Sequence, residues 1–146
     1  MNLRFYSFTN MYMSSIQHGI QPAHTIAEMM VKYMYNSPIQ NKIFYDWAKD
    51  HKTMIVLDGG YSSSLQELVT KFENVDNNWP WVQFYESKEA LDNALTCVSI
   101  IIPDYLYDIS KLQLESGEFI LPIVNDSYSD FDKDLISILD KFKLAV

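Results

Sequence analysis

TMIVLDGGYSSSLQELVTKF, residues 53–72, passes from an extended run through a glycine turn into an amphipathic helix. Thr53 to Leu57 reads as a strand closed by Asp58, Gly59 and Gly60. Leu65, Leu68, Val69 and Phe72 then fall at i, i+3, i+4 and i+7, the spacing of one buried helical stripe. Ser64 and Glu67 have the spacing of a capping box, which would satisfy two orphan amide donors at the helix start. A strand feeding a helix through a short turn is the unit from which α/β domains are built.

Working outward, the same alternation of periods continues. Leu3 to Phe8 places aromatic and aliphatic residues on both faces, as expected of a strand buried on two sides. A helix is predicted from Ile20 or Gln21 to Tyr35, with Pro22 in its first turn, where a missing N–H costs nothing. Its apolar stripe is read as Ala23, Ala27, Met30 and Met34, widened by Ile26, Met29 and Tyr33. Ile39 to Lys49 gives a second helix with Ile43, Phe44 and Trp47 inward.

On the other side, Trp81 to Tyr85 reads as a third strand and Thr96 to Ile102 as a fourth, stopped by Pro103. Ser87 caps a short helix carrying Ala90 and Leu91 between them. A short helix around Tyr105 to Leu112, a strand from Glu118 to Val124 and a helix from Phe131 to Leu144 complete the chain. Phe131, Leu135, Ile138, Leu139 and Phe142 form the inward stripe of that last helix, and Asp130, Asp132 and Asp134 load its positive end. The expected class is α/β: a small mixed β-sheet flanked by helices, with an appended C-terminal strand and helix. Residues 1–146 are read as one domain, of which residues 113–146 are a C-terminal extension.

Composition narrows the function classes. The chain has 146 residues, 48% of them apolar, and a formal charge of −8. That length suits one domain with its own core. Residues 112–146 hold three Lys and seven Asp or Glu, so half of the net charge sits in less than a third of the length. Phosphate-backbone binding normally recruits several cations, and this balance argues against a protein that coats nucleic acid. Cys97 is the sole cysteine, which excludes an intrachain disulfide and a thiolate metal cluster. MNLRFYSFTN has no extended apolar segment of the secretory type, and the apolar run from Val98 to Pro103 is too short to cross a bilayer. A cytoplasmic protein with no membrane partner is expected.

The stretch MSSIQHGIQPAHTIAEM, residues 13–29, carries most of the polar chemistry. Gln21, His24 and Glu28 lie on one helical ridge, with Gln17 and His18 just before it. Amide, imidazole and carboxylate groups so arranged can bind a polar ligand or move a proton. His18, His24 and Glu28 match no standard metal spacing, so neither a metal nor a cofactor is expected. Asp58-Gly59-Gly60 before three serines looks superficially like a phosphate-binding turn, yet it serves equally as hinge and cap. Cys97 alternates with Ser99 and Ile101 and reads as a buried core thiol. Trp81 reads as core and Trp79 as the cover of a turn, with base stacking as the alternative.

The strand order, together with Gln21-Pro22-Ala23-His24, resembles the type 2 peptidyl-tRNA hydrolase family over roughly Leu3 to Leu112. In that family a first strand leads through a glycine- and lysine-bearing loop into a helix that starts with Gln-x-x-His. HKTMIVLDGG, SSLQELVTKF, PWVQFYE and TCVSIIIPDYLYDISKL resemble its second strand, following helix, third strand and fourth strand with short helix. The resemblance implies hydrolysis of the ester between peptide and tRNA, by a lysine in the first loop and an aspartate after the third strand. Gln17 stands where that lysine would, and Glu86 where that aspartate would. The implied catalytic positions are therefore Gln17, His24 and Glu86, with His18, Gln21, Glu28 and Lys88 as ligand-binding positions.

Gln17 cannot carry the lysine's charge. The expected function is accordingly a repurposed, non-catalytic binding domain of this type. It would take a nucleotide-like small molecule or a host protein in the cleft between the first loop and the end of the third strand. The alternatives are a peptidyl- or aminoacyl-tRNA ester hydrolase, in which His18 or Lys88 is the electrophile and tRNA the partner, and a structural homo-oligomer. The small divergent domain and its Asn, Ile, Lys and Tyr content also resemble bacteriophage accessory proteins, which would place it in the host cytoplasm.

Overall fold

Strand β1 (Leu3–Thr9) is central to the sheet and covered on both faces: six of its seven residues are buried. The computed structural model describes residues 2–35, 37–106 and 129–145. Among these, β1, β2 (Met54–Asp58), β3 (Trp81–Tyr85) and β4 (Leu95–Pro103) form one mixed sheet in the order β2-β1-β4-β3. β1 and β2 are parallel, which requires a long crossover. It is supplied by α1 (Gln17–Lys32), α2 (Pro38–Asp46) and a π-helical turn (Trp47–His51). β4 runs antiparallel to both β1 and β3, so the carboxyl ends of β1, β2 and β3 share one end of the sheet with the start of β4.

The sheet separates two cores. On one side, α3 (Ser62–Phe72) and α5 (Asp130–Leu139) bury Leu65, Phe72, Leu135 and Leu139 against Tyr6, Phe8, Leu57, Val98 and Ile100. On the other, Met29, Tyr33 and Trp47 pack on Leu3, Phe5, Val82 and Ile101. This second core is apolar only toward the start of β1. Toward its end the same face carries Ser7, Thr9, Cys97 and Ser99, all fully buried. The remaining short helix, α4 (Lys88–Leu91), follows β3. No helix among the described residues is long and apolar enough to cross a membrane.

Several boundaries differ from expectation for identifiable reasons. α1 begins at Gln17, not at Ile20 or Gln21, because Ser14 and Gln17 exchange hydrogen bonds: Ser14 N–H donates to Gln17 Oε1 (3.0 Å) and Gln17 N–H to Ser14 Oγ (3.3 Å). That is the reciprocal pattern of a capping box. Pro22 consequently sits inside the helix. The expected stripe of Ala23, Ala27, Met30 and Met34 faces outward, and Gln21, Pro22, Thr25 and Met29 face the sheet. The strand surface beneath α1 is itself polar at this end, and it selects polar helix residues.

Ser64 does not cap α3, which starts two residues earlier behind Tyr61. There Asp58 Oδ1 accepts from Gly60 N–H (2.9 Å), and Gly60 takes the left-handed conformation (φ 75°) that glycine tolerates. A β-carbon on the preceding Gly59 would lie 2.5 Å from Leu65 Cδ2 and 3.0 Å from Thr9 O, so that turn has no room for a side chain.

The last helix stops at Leu139 instead of Leu144, and the chain beyond returns to β2. Leu144 bridges Leu57 in antiparallel fashion, Asp58 N–H donates to Lys143 O (2.8 Å) and Ala145 N–H to Val56 O (3.0 Å). α5 is capped by Ser129, whose Oγ accepts from Asp132 N–H while Asp132 accepts from Ser129 N–H. Asp132 also accepts from the Trp79 indole (2.7 Å), which holds Trp79 in the turn before β3. Residues 104–106 begin a helical turn, whereas the rest of the expected helix to Leu112 and the strand from Glu118 to Val124 lie outside the described residues.

Candidate functional site

The polar end of the second core is built around Gln21, which is 1% exposed. A buried primary amide must place its donors and its acceptor. Gln21 Nε2 donates to Glu86 Oε2 (3.0 Å), and Gln21 Oε1 accepts from Thr96 Oγ1 (2.8 Å). Glu86 is the first residue after β3, and its N–H donates to Ala94 O (2.9 Å), fixing the strand end from which the carboxylate projects.

Thr96 reaches Gln21 through an irregularity in the sheet. Phe84 opposes Cys97, but Tyr85 opposes Leu95, leaving Thr96 as an extra residue on β4. A bulge of this kind re-aims a side chain that strict alternation would send to the opposite face. Thr96 Oγ1 also lies 3.4 Å from Phe84 O.

Behind this group, Ser99 Oγ shares hydrogen bonds with Ser7 Oγ (2.7 Å) and Thr25 Oγ1 (2.8 Å). Thr25 Oγ1 lies 2.6 Å from Pro22 O, the carbonyl one turn back. Cys97 Sγ approaches Ser99 Oγ at 3.6 Å, and burial pushes its thiol up to about 12, against the weaker opposing pull of the Ser99, Thr25 and Ser7 hydroxyls. A thiol so placed stays protonated and is no nucleophile.

Nearer the surface, Thr9 Oγ1 and His18 Nδ1 are 2.6 Å apart, and Thr9 Oγ1 also meets Leu57 O (3.3 Å). The Thr9 hydroxyl has one proton, which goes either to His18 Nδ1 or to Leu57 O, and the His18 tautomer follows from that choice. Asn10 continues the ring of polar groups: its Nδ2 donates to Ser62 Oγ (3.1 Å), and its Oδ1 accepts from Tyr12 N–H (3.1 Å).

Of the residues singled out by sequence, Gln21 and Glu86 meet directly. His18 joins the end of β1 through Thr9. His24 stacks on Phe84, ring centroids 4.4 Å apart and planes 3° from parallel, one residue from the strand end that carries Glu86. Gln17 turns back on Ser14 at the helix start. Glu28 lines a separate groove beside Trp81, Gln83 and Tyr85, and Lys88 is exposed on α4. Sequence reading missed Thr9, Thr25, Thr96 and Ser99. The alternation of Phe5, Ser7 and Thr9 was the available signal for the polar sheet end; the bulge at Thr96 left none.

Among the described residues, Glu86 makes no ion pair, and no group of three His, Cys, Asp or Glu residues could hold a metal. What the arrangement offers is a half-buried carboxylate, an imidazole and amide and hydroxyl groups whose mutual bonds hold them in place. No family model matches the chain, and no curated protein matches it either.

Proposed function

We propose that this protein is a non-catalytic binding domain, of the kind the likeness to type 2 peptidyl-tRNA hydrolases suggests for a repurposed relative. Its first-loop cleft takes a nucleoside-like ligand through hydrogen bonds to Glu86 and His18. The observation that carries this reading is the employment of the two positions that resemble the family's catalytic pair. The Gln17 amide is bound to Ser14 and the Glu86 carboxylate to Gln21, with no cation paired to either among the described residues. Ester hydrolysis would need a positive group or aimed donors at the developing oxyanion. A carboxylate held by an amide instead suits hydroxyl and amine donors on a ligand.

The test combines two measurements on the full chain. Incubation with peptidyl-tRNA is expected to leave the ester intact, and titration with nucleosides to move the amide resonances of His18, Gln21, Glu86 and Thr96. Cleavage at an enzyme-like rate that Glu86→Ala abolishes would overturn the proposal in favour of the hydrolase.

A second reading has its own support. Met30, Val31, Met34, Tyr35 and Ile39 are 43–87% exposed at the end of α1 and the start of α2. Apolar surface of that kind marks contact sites when it is contiguous. Self-association through it would appear as a dimer mass in light scattering, lost on Val31→Asp with Ile39→Asp.

A further inference from the structure

The cations of this acidic chain are unevenly placed. Lys71, Lys141 and Lys143, three of its eleven Lys and Arg, line one cavity of about 420 Å³ on the α3/α5 side of the sheet. Among the described residues none of the three makes an ion pair. Leu68, Ile138 and Phe142 supply apolar wall to the same cavity. Phe142 is held edge-on against Phe8, with ring centroids 4.8 Å apart.

Two acids, Asp58 and Glu67, also line the cavity, which leaves one excess positive charge in a chain whose total is −8. Asp58 is already engaged, since its Oδ1 accepts from Gly60 N–H. The far wall is fixed in place by chain pairing: Asp58 N–H donates to Lys143 O, and Leu144 bridges Leu57. The lysines therefore stand on a backbone frame that does not have to be assembled when a ligand arrives.

Three ammonium groups without an ion pair among the described residues line a concave, partly apolar surface, and the species such a surface attracts is an anion. Pockets of about 300–1,000 Å³ suit small organic molecules, with apolar walls for the body and a few polar groups to fix orientation. We propose that this cavity is a binding site for a small organic phosphate. Its phosphoryl oxygens engage Lys71, Lys141 and Lys143, and an apolar ring packs against Leu68, Ile138 and Phe142. The site lies on the opposite face of the sheet from Gln21 and Glu86 and does not rest on the function proposed for that cleft. The two still share a wall, because Gly59 N–H donates to Thr9 O (2.7 Å) and Met11 N–H to Gly60 O (2.9 Å).

The experiment is an amide-resolved NMR titration of the full chain with phenyl phosphate, adenosine 5′-monophosphate, inorganic phosphate and uncharged adenosine. Expected are saturable shifts centred on Leu68, Ile138 and Phe142 with at least one of the two organic phosphates. Binding should weaken by about tenfold or more in Lys141→Ala/Lys143→Ala, since hydrogen bonds to charged groups are the stronger kind. It should weaken with added salt as well, because the lysines are exposed. Glu86→Ala should leave it unchanged, which separates this site from the first-loop cleft. Three results would overturn the proposal: no saturable shifts with either organic phosphate, equal affinity for inorganic phosphate, or undiminished binding in a folded double variant.

Discussion

Replacing Gln21 by leucine tests the polar group at the end of β1 more directly than any change to Glu86. Leucine fills a similar volume, so packing is largely kept while both hydrogen bonds are lost. The bond to Glu86 is charge-assisted, a kind that contributes about 1.5–3 kcal/mol, and the neutral bond from Thr96 contributes about 1 kcal/mol. Glu86 is only half-buried and recovers water, which puts its loss at the lower end, and Thr96 keeps Phe84 O as a poorer acceptor at 3.4 Å. Burial of the leucine side chain returns some stability. The net expectation is a destabilisation of about 2 kcal/mol. With an unfolding entropy of about 2.1 cal/mol/K per residue, that is a fall of roughly 6 °C in Tm for a chain of this length.

Thermal and urea unfolding followed by circular dichroism would measure the change, and a cycle with Glu86→Ala would isolate the pair. Contacting groups in one network show coupling of about 0.5–3 kcal/mol, whereas independent sites add to within about 0.5 kcal/mol. Additive behaviour of Gln21→Leu and Glu86→Ala would refute the direct bond between them. A Gln21→Leu protein as stable as its parent would refute the whole assignment of Gln21 as the organiser of this end.

The remaining predictions concern other parts of the molecule. Lys32 sits with its ammonium 3.8 Å from the Trp81 ring centroid and donates to Trp81 O (2.8 Å); desolvation there lowers its pKa to about 8, against the opposing attraction of Glu73. Its neutral form is favoured by folding, so its contribution to stability improves as pH rises from about 8 toward the ordinary lysine value of 10.5. A methyl-labelled Lys32 should titrate near 8 by NMR; a midpoint at the ordinary value would contradict this environment. Cys97 should resist thiol reagents in the native state and react at the rate of unfolding. Because its folded thiol ionises only at about 12, its contribution to stability is complete below about 9 and lost as pH rises from there toward 12. Rapid modification of the native protein would contradict both statements. Asp132→Ala should cost about 2 kcal/mol by removing the acceptor of the Trp79 indole and half of the α5 cap, with a red shift in tryptophan emission. Asp132→Asn keeps one acceptor oxygen of the two, so it should restore the Trp79 indole bond and its emission but not the bond from Ser129 N–H to the second oxygen; equal loss in the two variants would refute the hydrogen-bond account.

The elements that were legible in the sequence are those whose period is enforced by burial on a single apolar surface. β3 has the expected limits, and Leu65, Leu68, Val69 and Phe72 are the buried residues of α3. The inner face of α1 departs from its apolar stripe because it packs partly on hydroxyls: Thr25 meets Ser99, and Gln21 meets Thr96. An apolar-stripe rule assumes an apolar partner surface, and half of this one is polar. Pro22 misdirected the helix start for a related reason. Its ring suits a first turn, but the exchange between Ser14 and Gln17 had already begun the helix. The site is half visible in the sequence: Gln21 and His18 follow from residue type and spacing, and Glu86 from the family resemblance. Thr96 enters it only through a one-residue bulge, and a bulge is decided by how β3 and β4 align in space.

The return of residues 143–145 to β2 has a consequence in time. Until that segment has been synthesised and has folded back, the outer side of Met54–Asp58 offers unpaired N–H and C=O groups on an apolar strand. Such an edge invites pairing with another chain, and long-range pairings form late because distant segments must first meet. Leu57 waits for Leu144 while all the residues between them emerge from the ribosome. Nascent molecules on one message would therefore be prone to sticking together until residues 143–145 have emerged, and a change that prevents those residues from pairing would make that hazard permanent.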